Sequence, residues 1–139
     1  MMTPLLAISS SAIHSAAMAA GAGFLLVAGF QVALALSAPW GRAAWGGTHP
    51  GRLPQNLRIA SAFAAVFWVL AASLIFARAG HQLIPLPFTV GSWASWVLFG
   101  LLTVGALMNL ASRSKLERII QAPTAAILAV LCLVVALGA

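Results

Sequence analysis

Long stretches without charged side chains dominate this sequence. Residues 12–36 contain no Asp, Glu, Lys or Arg, and three further apolar stretches follow. A helix needs about 20 consecutive apolar residues to cross the hydrocarbon core of a bilayer. The sequence therefore predicts an all-α integral membrane four-helix bundle, formed by a single transmembrane domain over residues 1–139. The predicted spans are residues 16–36, 57–77, 93–110 and 119–137.

The shortage of charge supports the same class of protein. Charged residues make up 6% of the chain, whereas soluble domains carry roughly 25%. The net charge of +6 comes from seven Lys and Arg against a single acid, Glu117. No motif of a nucleic-acid-binding domain accompanies these cations, so we expect no nucleic-acid partner. Cys132 is the single cysteine, which excludes a disulfide within the chain.

The one long break between apolar stretches is residues 37–58, SAPWGRAAWGGTHPGRLPQNLR, which we call the 37–58 loop. Pro39 ends the first predicted helix, and Pro54 fits the first turn of the second. Gly46 and Gly47 indicate a turn. Trp45 is expected at the headgroup level of the membrane, where amphipathic rings concentrate.

The basic residues predict the orientation in the membrane. Six of them fall in two loops that four spans place on one side, and Arg78 alone lies on the other side. Positively charged loops stay in the cytoplasm. We therefore expect both termini on the non-cytoplasmic side of a bacterial inner membrane. The same six residues are candidates for binding anionic lipid headgroups or a specific phosphate or carboxylate ligand: Arg42, Arg52, Arg58, Arg113, Lys115 and Arg118.

Several residues predict where helices begin and end. Gly80 is expected to cap the C-terminal end of the second helix, and Ser92 to cap the start of the third. Ser114 and Glu117 have the spacing of a capping box, so a helix should start at Ser114. Pro123 then falls inside that helix and predicts a kink.

Small residues recur every four positions in the first span. Ala16 and Ala20 form one such row, and Ala17 and Gly21 form another. Small residues at this spacing let helix backbones approach closely. Packing within the chain is favoured here over a dimer contact.

The residue inventory argues against an enzyme. The chain has no Asp, no Tyr, one Glu and three His. Catalysis by two acids or by a Ser-His-Asp triad is therefore excluded within one chain. His14, His49 and His81 lack the short spacing of a metal site. We accordingly predict no catalytic residue, no metal ligand and no cofactor.

His14 leaves two interpretations open. Ionisable groups inside membranes are often functional, and His14 could bind haem or relay protons. The alternative, which we favour, is a neutral interfacial histidine bonded to a serine or to lipid. His81 lies in the outer loop, but nothing in the sequence brings it to His14.

Three polar residues remain within or beside the predicted spans. Glu117 could drive proton-coupled export, but its position at a helix start favours a capping role, with the ionised carboxylate paired to Arg58. Gln31 and Asn109 are predicted at similar depth in spans one and three. They are expected to bond to each other or to face a ligand.

Two segments carry a resemblance to other proteins. They are ALALSAPWGRAAWGGTHPGRLPQNLR and, later, MNLASRSKLERIIQAPTAAILAVLCLVVAL. The chain resembles a family of small, uncharacterised bacterial integral membrane proteins with four spans. The resemblance implies the fold and a bacterial membrane location, and it implies no activity.

Two functions follow as hypotheses. The first is a non-enzymatic accessory or packing subunit, or a lipid-binding scaffold, of a bacterial membrane complex. Its partners would be anionic membrane lipids, together with other membrane subunits or further copies of the chain. The alternative is a small oligomeric transporter or channel, in which Glu117, Asn109 and Gln31 line an inner polar vestibule.

Overall fold

The computed structural model describes residues 7–138, and they are built from helices and short connections. Helix α1 spans Ser10–Ala35, α2 spans Gln55–Ala77 and α3 spans Phe88–Leu110. A π-helical turn, Glu117–Gln121, leads directly into α4, Ala122–Leu137. Each of the four helical segments is long and apolar enough to cross a membrane. The predicted all-α class is confirmed, and the four long apolar helices match the predicted number of spans.

The helix starts differ from prediction at two places. Helix α1 begins before the predicted span, at Ser10, because the Ser9 hydroxyl accepts a hydrogen bond from the Ala12 amide at 3.1 Å. The prediction that Ser92 caps the third helix is wrong. Helix α3 begins at Phe88, directly after Pro87, whose fixed φ of −58° leads the chain into the helix. Ser92 therefore lies inside α3.

The end of α2 follows the sequence prediction. Gly80 has a φ of +87°, which a residue without a Cβ adopts readily. The His81 amide donates to the Phe76 carbonyl at 3.1 Å, and the Gly80 amide donates to the Ala77 carbonyl at 3.1 Å. These two bonds form a Schellman motif, so the predicted glycine cap is confirmed.

The helices form a ring in which α1 packs most extensively on α2, and α3 on α4, while α1 and α4 join the two pairs. Small residues of α1 face this core: Ala17 and Ala20 are fully buried. A Cβ added at Gly21 would overlap the Phe76 ring of α2, and one at Gly23 would overlap Leu128 of α4. The small residues thus serve packing within the bundle, as predicted.

Large apolar side chains cover the outside of the bundle. Leu26 is 77% exposed, and Phe63 and Trp93 are each 73% exposed. Such a surface would aggregate in water, but it matches the hydrocarbon of a bilayer. The exposed faces therefore fit a multi-pass membrane protein.

Candidate functional site

The 37–58 loop folds back onto one end of the bundle, which we call the loop end. Two short 3-10 turns, Gly41–Ala43 and Trp45–Gly47, shape the loop. Ala44 and Leu53 of the loop are buried against Leu34 of α1. The loop is therefore ordered against the helices of its own chain.

Trp45 fastens the loop to α2. Its indole Nε1 donates a hydrogen bond at 2.9 Å to the hydroxyl of Ser61, which is completely buried. The Trp45 side chain is 42% exposed, so its expected place at the headgroup level stays a prediction, while its polar atom bonds within the protein. The sequence feature that could have predicted this contact is Ser61, because a polar residue buried in an apolar span needs a hydrogen-bond partner.

The backbone at this point has an unusual conformation. Trp45 has a φ of +50°, and Gly46 and Gly47 follow with φ values of +83° and +71°. A left-handed conformation costs an L-residue such as Trp about 1–2 kcal/mol. The conformation persists because hydrogen bonds and packing on both sides of the turn hold it, which is typical of functional sites.

Glu117 meets this turn from the start of the fourth span. Its side chain is 6% exposed, and Oε1 accepts a hydrogen bond from the Gly46 amide at 3.0 Å. The Ser112 hydroxyl donates to Oε2. The sole acid of the chain thus joins the 37–58 loop to the connection between α3 and α4.

The predicted capping box is half correct. The Glu117 amide donates to the Ser114 hydroxyl at 3.3 Å, as such a box requires. The second bond of the box, from the Ser114 amide to the Glu117 carboxylate, is absent, because that amide donates to the Ser112 hydroxyl at 3.0 Å instead. The Glu117 carboxylate is thereby free to accept from Gly46.

The expected pairing of Glu117 with Arg58 is wrong. Arg58 lies in the first turn of α2 and its Nε donates to the Ala35 carbonyl at 3.1 Å. Ala35 ends α1, where free carbonyls and the negative helix end favour a cation. Arg118 does not pair with Glu117 either, since its Nη1 donates to the Ser112 carbonyl at 2.7 Å.

The irregularity predicted at Pro123 takes the form of a π-helical turn. The Ala122 amide donates to the Glu117 carbonyl, five residues back. Pro123 has no amide hydrogen, and its ring would collide with the carbonyl four residues before it in a regular helix. The wider turn avoids this collision, and such turns are frequent at functional sites.

Two more hydrogen bonds hold the loop to this turn and to the residues just before it. Gln121 Nε2 donates to the Ala43 carbonyl at 3.0 Å, and the Ser114 hydroxyl donates to the Arg42 carbonyl. The two basic loops therefore meet at the loop end. Arg58 is half-buried there, and the other five basic residues are exposed: Arg42, Arg52, Arg113, Lys115 and Arg118.

A cavity of about 220 Å³, which we call the inner cavity, lies beneath the loop. Gln31, Asn109 and Glu117 all line it, so the structure brings the three polar candidates together. The predicted hydrogen bond between the two amides is not supported, because Gln31 Oε1 is buried without a partner among the described residues. The sequence did not predict the other polar and aromatic residues of this lining: Phe30, Trp45, Trp68, Gln121 and Thr124.

A larger space of about 1040 Å³, which we call the α1/α4 groove, runs between these two helices. Its walls are apolar and include Leu26 of α1 and Ile127 of α4. Trp40 and Arg42 of the loop line its polar end. The Trp40 ring stacks on Phe30 with ring centroids 6.0 Å apart.

The opposite end of the bundle carries the remaining candidate residues. The rings of His14 and His81 lie 6.1 Å apart between centroids, a proximity that the sequence did not predict. Among residues 7–138, no group of three or more His, Cys, Asp or Glu side chains is arranged to hold a metal. Arg78 stacks over the Phe88 ring at 4.7 Å, and burial lowers the pKa of its guanidinium.

No protein-family model, curated protein or solved structure matches this chain with significance. The resemblance to a family of small four-span bacterial proteins therefore stays a prediction. The inner cavity and the α1/α4 groove are the two candidate binding sites of the chain's described residues.

Proposed function

We propose that this protein is a non-enzymatic integral protein of a bacterial inner membrane that binds anionic lipid at its loop end. In that role it is a lipid-binding scaffold or accessory subunit. Its termini lie on the non-cytoplasmic side and its loop end faces the cytoplasm. The observation that supports the proposal is the α1/α4 groove, which has apolar walls and Arg42 at its polar end.

The groove has the shape and chemistry for an acyl chain. Leu26 and Ile127 on its two walls are 77% and 61% exposed, so the walls are open to the surroundings of the bundle. In a bilayer those surroundings are hydrocarbon. An acyl chain in the groove forms dispersion contacts with the walls, and an unfilled groove would lose these contacts.

The polar end of the groove suits a headgroup with negative charge. Arg42 is exposed there, and the Ser114 hydroxyl donates to its backbone carbonyl. Its guanidinium forms no hydrogen bond with the described residues. A guanidinium can form two parallel hydrogen bonds to a phosphate. Each basic residue near an anionic surface contributes about 1 kcal/mol of attraction, and five others lie in the same two loops.

Native mass spectrometry of the gently extracted protein tests this proposal. We expect retained phospholipid with an anionic headgroup, and at least about tenfold less of it in Arg42→Gln. Arg52→Gln is the matched control, because Arg52 is an exposed arginine of the same loop that does not line the groove. Equal retention in both variants, or no preference for anionic lipid, would contradict the proposal.

A second function, a small oligomeric transporter or channel, is favoured by the inner cavity. Glu117, Asn109 and Gln31 line this cavity together, as an inner vestibule requires. The 37–58 loop lies over it, held by the Trp45 and Gly46 hydrogen bonds. Flux in proteoliposomes that is lost in Glu117→Gln would support this function over the first.

Mass spectrometry of the same extract also tests the proposed partners. An accessory subunit should carry other membrane proteins in fixed ratio, whereas a transporter assembled from this chain should carry further copies. The exposed apolar faces of all four helices are available for either contact. A strictly monomeric protein would argue against both assemblies and leave the lipid-binding role.

A further inference from the structure

The inner cavity offers more hydrogen-bond acceptors than the protein itself satisfies. Gln31 Oε1 is buried and accepts no hydrogen bond from any described residue. An unsatisfied buried acceptor costs about 1–3 kcal/mol, so its presence in a cavity calls for a partner that is not part of the chain. A ligand with hydrogen-bond donors would supply it.

The same cavity has an imbalance of charge. Glu117 lines it and is 6% exposed. Among residues 7–138, its oxygens accept only from the Gly46 amide and the Ser112 hydroxyl. No Lys or Arg is among the described residues that line the cavity. A buried carboxylate without a cation is costly. A monocation in the cavity would neutralise it.

The rest of the lining favours an organic cation over a hydrated metal ion. Trp45 and Trp68 line the cavity, and indole faces are the best aromatic partners for an ammonium group. Val27, Phe30 and Leu102 supply apolar walls. A cavity of 150 Å³ holds benzene, so about 220 Å³ admits a somewhat larger molecule.

We propose that the inner cavity is a binding site for a small organic monocation of the alkylammonium class. Glu117 neutralises the charge, the tryptophan rings surround the alkyl groups, and Gln31 Oε1 accepts from a donor on the ligand. The inner cavity adjoins the α1/α4 groove, and six residues line both: Val27, Phe30, Ala43, Gln121, Thr124 and Leu128. The carboxylate, the orphan amide oxygen and the two indoles line the inner cavity alone, so the inference does not depend on the proposed lipid binding.

Calorimetric titration of the purified full chain with choline tests the inference, with 3,3-dimethylbutan-1-ol as the neutral molecule of the same shape. We expect choline to bind and the neutral alcohol to bind at least about tenfold more weakly. Glu117→Gln should remove this difference. Equal affinities for the two probes in the unmodified chain, or no binding of choline, would overturn the proposal.

A second variant, which fills the cavity, tests the proposal even if Glu117→Gln fails to fold. Gly105 of α3 lines the cavity, and a Cβ there meets no atom within 4 Å. Gly105→Leu should therefore fill the cavity without removing a polar group and abolish choline binding. Gly100→Leu is the matched control, since Gly100 lies in the same helix with equally open space but outside the cavity. Unchanged choline binding in Gly105→Leu, in a protein that melts normally, would place the ligand elsewhere and overturn the proposal.

Discussion

The Gly46 amide donates a hydrogen bond to Glu117 Oε1 at 3.0 Å across 71 positions of the sequence. This bond joins the strained turn of the 37–58 loop to the π-helical turn that begins the fourth span. It closes the loop end over the inner cavity, and it gives the one acid of the chain a structural role.

Removal of the Glu117 carboxylate should loosen the loop. Glu117→Ala leaves the Gly46 amide and the Ser112 hydroxyl without an acceptor, at a cost of about 1–3 kcal/mol. Glu117→Gln keeps an oxygen for Gly46, so its cost should be smaller. Thermal melting in detergent measures both. Equal melting temperatures for Ala and Gln variants would show that the bond to Gly46 contributes nothing.

A Cβ at Gly46 should destabilise the left-handed turn. A Cβ there meets no atom within 4 Å, so the effect of Gly46→Ala comes from the φ of +83° alone. We expect a loss of about 1 kcal/mol. Gly29→Ala is the control, because Gly29 has equal space in the middle of α1, where Ala is the better helix former. If both variants melt alike, the turn is not in this conformation.

Replacement by leucine should destabilise the protein at only one of the two glutamines that line the inner cavity. Gln31→Leu removes an acceptor that has no partner, so stability in ligand-free detergent should stay the same or rise. Gln121→Leu removes the 3.0 Å bond to the Ala43 carbonyl and should cost about 1 kcal/mol. Melting curves compare the two variants. Equal destabilisation would mean that Gln31 does have a partner.

The four long apolar helices and the cap at Gly80 were predictable because they depend on local composition and on residues a few positions apart. The contacts of the loop end were not. The Ser114 spacing predicted the helix start, but the partner of the Glu117 carboxylate was set by Gly46, which is distant in sequence. Arg58 was a plausible partner by charge alone, and the end of α1 offered it a carbonyl instead.

The orientation in the membrane can be read by thiol labelling. Thr48→Cys and Gln82→Cys, each in a Cys132→Ala background, place a single exposed thiol at the loop end and at the opposite end. An impermeant reagent on intact cells should label position 82 and leave position 48 protected. The reverse pattern would place the loop end outside.

The proposed lipid site predicts where an acyl chain contacts the protein. An anionic phospholipid with a photoactivatable acyl chain, crosslinked in liposomes and mapped by mass spectrometry, measures this directly. We expect adducts at Leu26 and Ile127, on the two walls of the α1/α4 groove. Phe63 of α2 is the reference for general lipid contact, because it is 73% exposed and does not line the groove. The account predicts that groove adducts exceed those at Phe63 and that Arg42→Gln removes the excess. Equal labelling of Leu26, Ile127 and Phe63 in the unmodified chain would contradict it.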